Sequence, residues 1–184
     1  MIGPTTKSGW LTLSTVVMAT LTASTAYVVI GDGTPRARSG NTLAIQRLDG
    51  GRETLADFRG RAVLLTVWAT WCWSCRQEMP ALARLHRQSQ GRPLVIIALS
   101  VDREGAEVVK PLIEELGVAD LAVYLDPEGG AVRHFSISGL PTTILLGPDG
   151  LERRRWYGAR AWDEAAATQE IASLLADKPD KVAP

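Results

Sequence analysis

The chain has 184 residues, 20 Lys+Arg against 20 Asp+Glu, and two cysteines. Its 46% hydrophobic and 22% charged content is that of a globular protein, which excludes a disordered or collagen-like chain. Zero formal net charge provides no electrostatic footprint for nucleic acid, and two cysteines exclude a disulfide-rich scaffold or a four-cysteine zinc site.

Residues 1–9 read as a short tail. No charged residue occurs from Ser8 to Gly31. Within that stretch, 10–30 could span about 30 Å as a helix, the thickness of a bilayer core. Trp10 and Tyr27 stand near its ends, where amphipathic rings are favoured. Seven of its 21 residues are Ser or Thr, so it is only moderately apolar. It reads first as a transmembrane signal anchor. A cleaved signal peptide is the second reading, with Leu11–Leu21 as apolar core and Ser24-Thr25-Ala26 as cleavage site. A buried core helix is the third. Lys7 and the α-amine before the span and Arg36 and Arg38 after it nearly balance, so charge gives little orientation.

Residues 31–42 (GDGTPRARSGNT) have linker composition, and 43–176 alternate apolar runs with helix-length segments. Strands are expected at 62–69, 93–101, 121–126 and 142–147. Helices are expected at 73–90, 104–116 (strained or bent by Pro111) and 129–135. Residues 151–157 form a return strand after the Pro148-Asp149-Gly150 turn. Residues 161–176 form a last helix, with Ala165, Ile171, Leu174 and Leu175 inward, and 177–184 are a tail. Continuous apolar strands separated by helices imply an α/β domain with a mostly parallel sheet covered on both faces, plus one antiparallel part at the hairpin.

The chemistry concentrates in WATWCWSCRQEMP, 68–80. A buried strand ends, a short turn follows and a helix opens at the cysteines. Cys72 and Cys75 at i, i+3 share one face of the first helical turn, so a disulfide closes there with little backbone movement. Cys72 at the helix start meets free N–H groups and the positive end of the helix dipole, which stabilise a nucleophilic thiolate. Cys75 is one turn deeper and resolves the mixed disulfide that Cys72 forms. Half of a metal site, or two inert core cysteines, is the alternative. The remaining ligands for a metal would be His86, His134 and carboxylates.

The segment WATWCWSCRQEMPAL resembles the active site of the thioredoxin superfamily, in particular its TlpA/ResA/DsbE-like membrane-tethered thiol–disulfide oxidoreductases. The resemblance runs from about Leu48 to Leu175. It includes Asp57-Phe58-Arg59-Gly60-Arg61, SVD at 100–102, GLPTT at 139–143 and GPDG at 147–150. It implies a thioredoxin-like fold, a central mixed β-sheet flanked by helices, preceded by the N-terminal transmembrane helix. It implies Cys72 as attacking and Cys75 as resolving cysteine, forming a redox-active disulfide with no further cofactor and no metal.

The resemblance also implies that Leu140-Pro141 is a cis-proline loop beside the disulfide, with the Leu140 backbone open to an extended substrate segment. Glu78 matches a glutamate that tunes the cysteine pair and takes a proton from the resolving thiol. A solvated first-turn carboxylate is the plainer reading. Thioredoxin proper carries a buried Asp six residues before the first cysteine, where this chain has Thr66, so Glu78 is the nearby acid.

Ser74, where many relatives have proline, supplies an N–H and a hydroxyl. Either one, aimed at Cys72, would stabilise the thiolate and weaken the dithiol as a reductant. Trp71 and Trp73 are candidates for an apolar substrate rim, Trp73 the better one, with Trp71 partly core as the alternative. Trp68 reads as packing and His86 as an ordinary helix residue. Arg153-Arg154-Arg155 reads as a solvated sheet edge.

The expected function is reduction of disulfides in exported proteins, for cytochrome c maturation or cytochrome oxidase copper-site assembly. The expected partners are those proteins, a membrane thiol electron donor, and the membrane through 10–30. The expected location is the bacterial inner membrane, anchored by the N-terminus with the domain in the periplasm, or secretion if the segment is cleaved. Three rivals stand beside it: a copper-binding assembly factor using Cys72, Cys75 and His134; a thiol peroxidase, since Thr70-Trp71-Cys72 is one residue short of a peroxidatic Thr-x-x-Cys; and an oxidase running the same residues in reverse.

Overall fold

A computed structural model describes residues 43–176, so the segment 10–30 read as a membrane anchor lies outside the described residues. No helix among the described residues is long and apolar enough to cross a membrane.

The described chain opens with a hairpin, β1 (Ala44–Arg47) and β2 (Arg52–Thr54), followed by a 3-10 turn (Leu55–Phe58). Then come β3 (Ala62–Trp68), α1 (Trp73–Gln88), β4 (Leu94–Ser100), α2 (Ala106–Glu115), β5 (Val123–Leu125), α3 (Gly130–His134), β6 (Thr142–Leu146), β7 (Glu152–Tyr157) and α4 (Ala165–Ala176). The strands form one sheet in the order β2-β1-β5-β4-β3-β6-β7. Only β3–β4 and β4–β5 are parallel. Pairings β1–β2, β1–β5, β3–β6 and β6–β7 are antiparallel. The sheet is therefore mixed, not mostly parallel. The apolar runs of β3 and β4 mark burial on both faces, which an antiparallel neighbour such as β6 satisfies equally well.

All seven residues of β3 are buried. Successive side chains alternate between two apolar layers, as the two-residue period of a strand requires. Leu64 and Trp68 pack with Met79 and Leu82 of α1, Val109 and Ile113 of α2 and Ile171 of α4. Val63, Leu65 and Val67 pack on the other face with Phe58, Phe135 and Ile144. The fold is thioredoxin-like α/β.

Two expectations need correction beside the sheet. The β1–β2 hairpin was not assigned from the sequence, because its seven residues are short, partly polar and lack a repeated alternation. The last helix begins at Ala165, not 161, and Ala165 is exposed rather than inward. Residues 161–164 are spent differently: Trp162 is fully buried and Asp163 receives Arg84 Nε at 2.6 Å. That burial pulls the chain out of helical register. α2 continues through Pro111, which stands on its exposed side.

Candidate functional site

β3 delivers the chain to one end of the sheet, and the turn after it is fastened by a buried carboxylate. Asp102, just beyond β4, is 1% exposed. The Thr70 N–H donates to its Oδ2 at 2.8 Å and the Thr70 hydroxyl to its Oδ1 at 2.7 Å. The Ser100 hydroxyl donates to Oδ2 at 2.8 Å. These bonds tie the β3–α1 turn to the end of β4. They also turn the Thr70 hydroxyl to Asp102, so the Thr70-Trp71-Cys72 run forms no peroxidatic Thr–Cys pair.

Cys72 is the N-cap of α1 and Cys75 lies in its first turn. They form a disulfide, with Cα atoms 5.3 Å apart. The Cys75 N–H is 3.3 Å from Cys72 Sγ, one of the helix N–H groups otherwise without partner. The Ser74 hydroxyl lies 3.6 Å from the same sulfur. Cys72 is 8% exposed and Cys75 fully buried, so an incoming group meets Cys72 first. Trp71 and Trp73 flank it at 71% and 70% exposure. Trp71 is thus a surface residue and not partly core. Trp68 is fully buried, as its place on β3 requires.

Across the site, Leu140-Pro141 is a cis peptide at the entry to β6. β6 runs antiparallel to β3 with Thr142 opposite Val67, which brings this loop to the same end of the sheet as the cysteines. Among the described residues no hydrogen bond to the Leu140 main chain is formed. Thr66 is buried on β3 and shares a hydroxyl–hydroxyl bond of 2.9 Å with Thr143, so the position holds no acid.

Glu78 is buried at 2% exposure, not solvated. It stands one turn beyond Cys75 on the same buried face, a spacing at which side chains are neighbours. Its Oε2 accepts the Trp162 indole N–H at 3.0 Å and the Arg160 N–H at 3.1 Å. Its Oε1 is buried with no hydrogen-bond partner among the described residues. Burial pushes the carboxyl up to about 7, against the two donors, which pull it down. The sequence assigns no role to Trp162, Arg160 or Asp102: the SVD run at 100–102 is visible only as a motif, and the local signals around 160–162 mark no site.

His134 ends α3 and packs edge-to-face on Phe135. Among the described residues no three His, Cys, Asp or Glu side chains converge as a metal site. His86 is half-buried on α1 and bonded to Gln90. Arg153, Arg154 and Arg155 lie on the edge strand β7, paired with Asp149, Glu170 and Glu152.

A Cys-x-x-Cys helix start fed by a buried strand and faced by a cis-proline loop defines a thioredoxin-fold dithiol–disulfide protein. Residues 39–153 match the AhpC/TSA family. Over 132 residues the chain is 33% identical to the thiol:disulfide interchange protein DsbE of Pseudomonas aeruginosa, covering 70% of this chain and 69% of that one. Over 108 residues it is 31% identical to the thiol-disulfide oxidoreductase ResA of Bacillus subtilis, covering 59% of each. The chain spans 59–61% of the length of the first ResA relatives it matches. Among solved structures, one assigned as the thiol:disulfide interchange protein DsbE of Chlorobium tepidum superposes with a TM-score of 0.67 at 25% identity, covering 76% of this chain and 96% of that one. StoA from Bacillus subtilis, at 18% identity, TM-score 0.59 and coverage of 71% and 93%, shares the fold. The chain belongs to the AhpC/TSA family and, within the thioredoxin superfamily, to its ResA/DsbE-like group.

Proposed function

We propose that the protein is a thiol–disulfide oxidoreductase that reduces disulfides in exported proteins. The observation that carries this reading is the disulfide at the start of α1, with Cys72 at the surface rim and Cys75 buried beside a carboxyl poised near neutrality.

The reaction begins with the reduced pair. The Cys72 thiolate, held by the helix N-terminus, attacks one sulfur of a substrate disulfide. A Cys72–substrate disulfide forms and the substrate's other sulfur leaves as a thiolate, which takes a proton from water. The Cys75 thiol passes its proton to Glu78 and attacks Cys72 Sγ. The intramolecular disulfide forms, and the second substrate sulfur leaves and is protonated. Two electrons pass from the cysteine pair to the substrate. Leu140 offers its N–H and C=O to an extended substrate segment in the manner of an added strand. Trp73, with Trp71, covers the segment's apolar side chains, and Pro141 forms the floor of the loop.

The finer reading follows the family resemblance. The domain works in the periplasm on a tether formed by residues 10–30, in cytochrome c maturation or cytochrome oxidase copper-site assembly. A membrane thiol donor keeps the pair reduced, because an exported compartment would otherwise leave it as the disulfide.

Equilibration of the Cys72–Cys75 pair with glutathione tests the direction. A potential well below that of protein disulfide isomerase, about −180 mV, is expected. A value near the strongly oxidising end, about −120 mV, overturns the reductase reading in favour of an oxidase. Cys75→Ser is expected to trap the substrate as a stable mixed disulfide on Cys72 and so identify it.

A further inference from the structure

The loop from β7 to α4 holds Glu78, and the loop is itself held from behind by an arginine. Arg160 presents two different groups. Its main-chain N–H faces inward to Glu78 Oε2. Its guanidinium lies over the rings of Trp156 and Trp162, 5.4 and 5.1 Å from their centroids. The two indoles meet edge-to-face, with centroids 5.3 Å apart. Arg160 Nη2 is also paired with Glu170 Oε2 on α4 at 2.9 Å, and Glu170 Oε1 accepts the Trp156 indole N–H at 3.0 Å. A planar cation held against two packed indoles and a carboxylate is a rigid brace, which a flexible ammonium would not reproduce.

We propose that Arg160 is a positioning residue for Glu78: its guanidinium, lying against both Trp156 and Trp162 and paired with Glu170, fixes the two donors that occupy Oε2, so that Oε1 alone exchanges a proton with Cys75. This deepens the reading of Glu78 as proton acceptor and rests on it. Oε2 already accepts two N–H groups, so the neutral carboxyl carries its proton on Oε1. In the resolving step the Cys75 S–H bond breaks, the proton passes to Oε1, and the electron pair left on sulfur attacks Cys72.

The charged and titratable groups around the carboxyl support this division. Cys75 shares its helix face. Arg76 is turned away to Glu115 on α2. Arg84 of α1 pairs with Asp163 of the loop, and Arg160 of the loop with Glu170 of α4. Reduction of the disulfide frees the Cys75 thiol on the same buried face of α1 as Glu78.

The test uses the reduced protein and an aromatic disulfide, 5,5′-dithiobis(2-nitrobenzoate). The first thionitrobenzoate released reports Cys72, and the second, unimolecular release reports Cys75. Arg160→Ala is expected to move the pH midpoint of the second phase upward by about one unit, the worth of one charge-assisted hydrogen bond to the carboxylate. The first phase is expected to keep its midpoint. In the Glu78→Gln background, Arg160→Ala is expected to add no shift, because its effect runs through Glu78. Glu170→Gln, a milder change that keeps the site's volume, is expected to shift the second phase the same way by less, and it serves if Arg160→Ala does not fold. An unmoved second phase in both Arg160→Ala and Glu170→Gln, or an equal shift in the Glu78→Gln background, overturns the proposal while leaving Glu78 as acceptor. A second phase unchanged by Glu78→Gln itself overturns both.

Discussion

Glu78 and Asp102 are buried to the same degree, 2% and 1% exposed, in the segments that follow β3 and β4. Asp102 meets three donors spread over both oxygens. Glu78 meets two donors on one oxygen and none on the other. A buried carboxylate with both oxygens occupied is a fastener, and here it clamps the turn that carries Cys72. One with a bare oxygen has bought less in hydrogen bonds than it lost in hydration, so its proton is held more tightly. What separates the two acids is how the donors are divided between the oxygens, not the depth of burial.

The comparison can be broken first at Asp102. Asp102→Ala removes three bonds to a charged group and strands the Thr70 N–H, so it is expected to cost about 4 kcal/mol of stability. Urea denaturation of the oxidised protein measures it, and a loss under about 1 kcal/mol would remove Asp102 as the fastener.

Glu78 should show the opposite behaviour, in the pH dependence of stability. Its carboxyl is raised from 4.5 to about 7 in the folded protein. The folded state therefore holds a proton that the unfolded state has lost, and stability falls as pH rises from about 4.5 to about 7. The fall attributable to this group is roughly 3 kcal/mol. Glu78→Gln should flatten that part of the curve for the oxidised protein. A wild-type curve and a variant curve that run parallel from pH 4.5 to 8 would count against the raised carboxyl.

A smaller effect is expected from Thr70→Val, which deletes one hydroxyl bond to Asp102 and leaves the N–H bond. The expected cost is about 1.5 kcal/mol, measured in the same denaturation series. The smallest lies at Ser74, whose hydroxyl faces Cys72 Sγ. Ser74→Ala withdraws a weak donor from the thiolate. The potential of the pair is then expected to fall by on the order of 10–20 mV, making the dithiol a slightly stronger reductant. A rise would mean that the hydroxyl favours the disulfide instead.

Much of this was legible in the linear chain. The buried runs at 62–69, 93–101 and 142–147 became β3, β4 and β6, because strands covered on both faces must be continuously apolar. The helix at 73–90 became α1, and the i, i+3 cysteines met at its first turn, because both facts are local. The β1–β2 hairpin escaped notice because three- and four-residue strands carry too little pattern. The last helix was begun four residues early, because Trp162 reads as an ordinary apolar helix position until its partner is known.

The sequence by itself determined the redox pair, the strand that delivers it, and the uncharged stretch at 8–31. Each is a matter of residue type at short spacing. Only the tertiary structure decided how the two buried acids are satisfied. Arg160 and Trp162 reach Glu78 across 82 and 84 residues of chain, and Thr70 reaches Asp102 across 32. No local period encodes such pairings. They arise when the packing of α1 against the β7–α4 loop, and of the β3 turn against the end of β4, sets how many donors each buried oxygen meets.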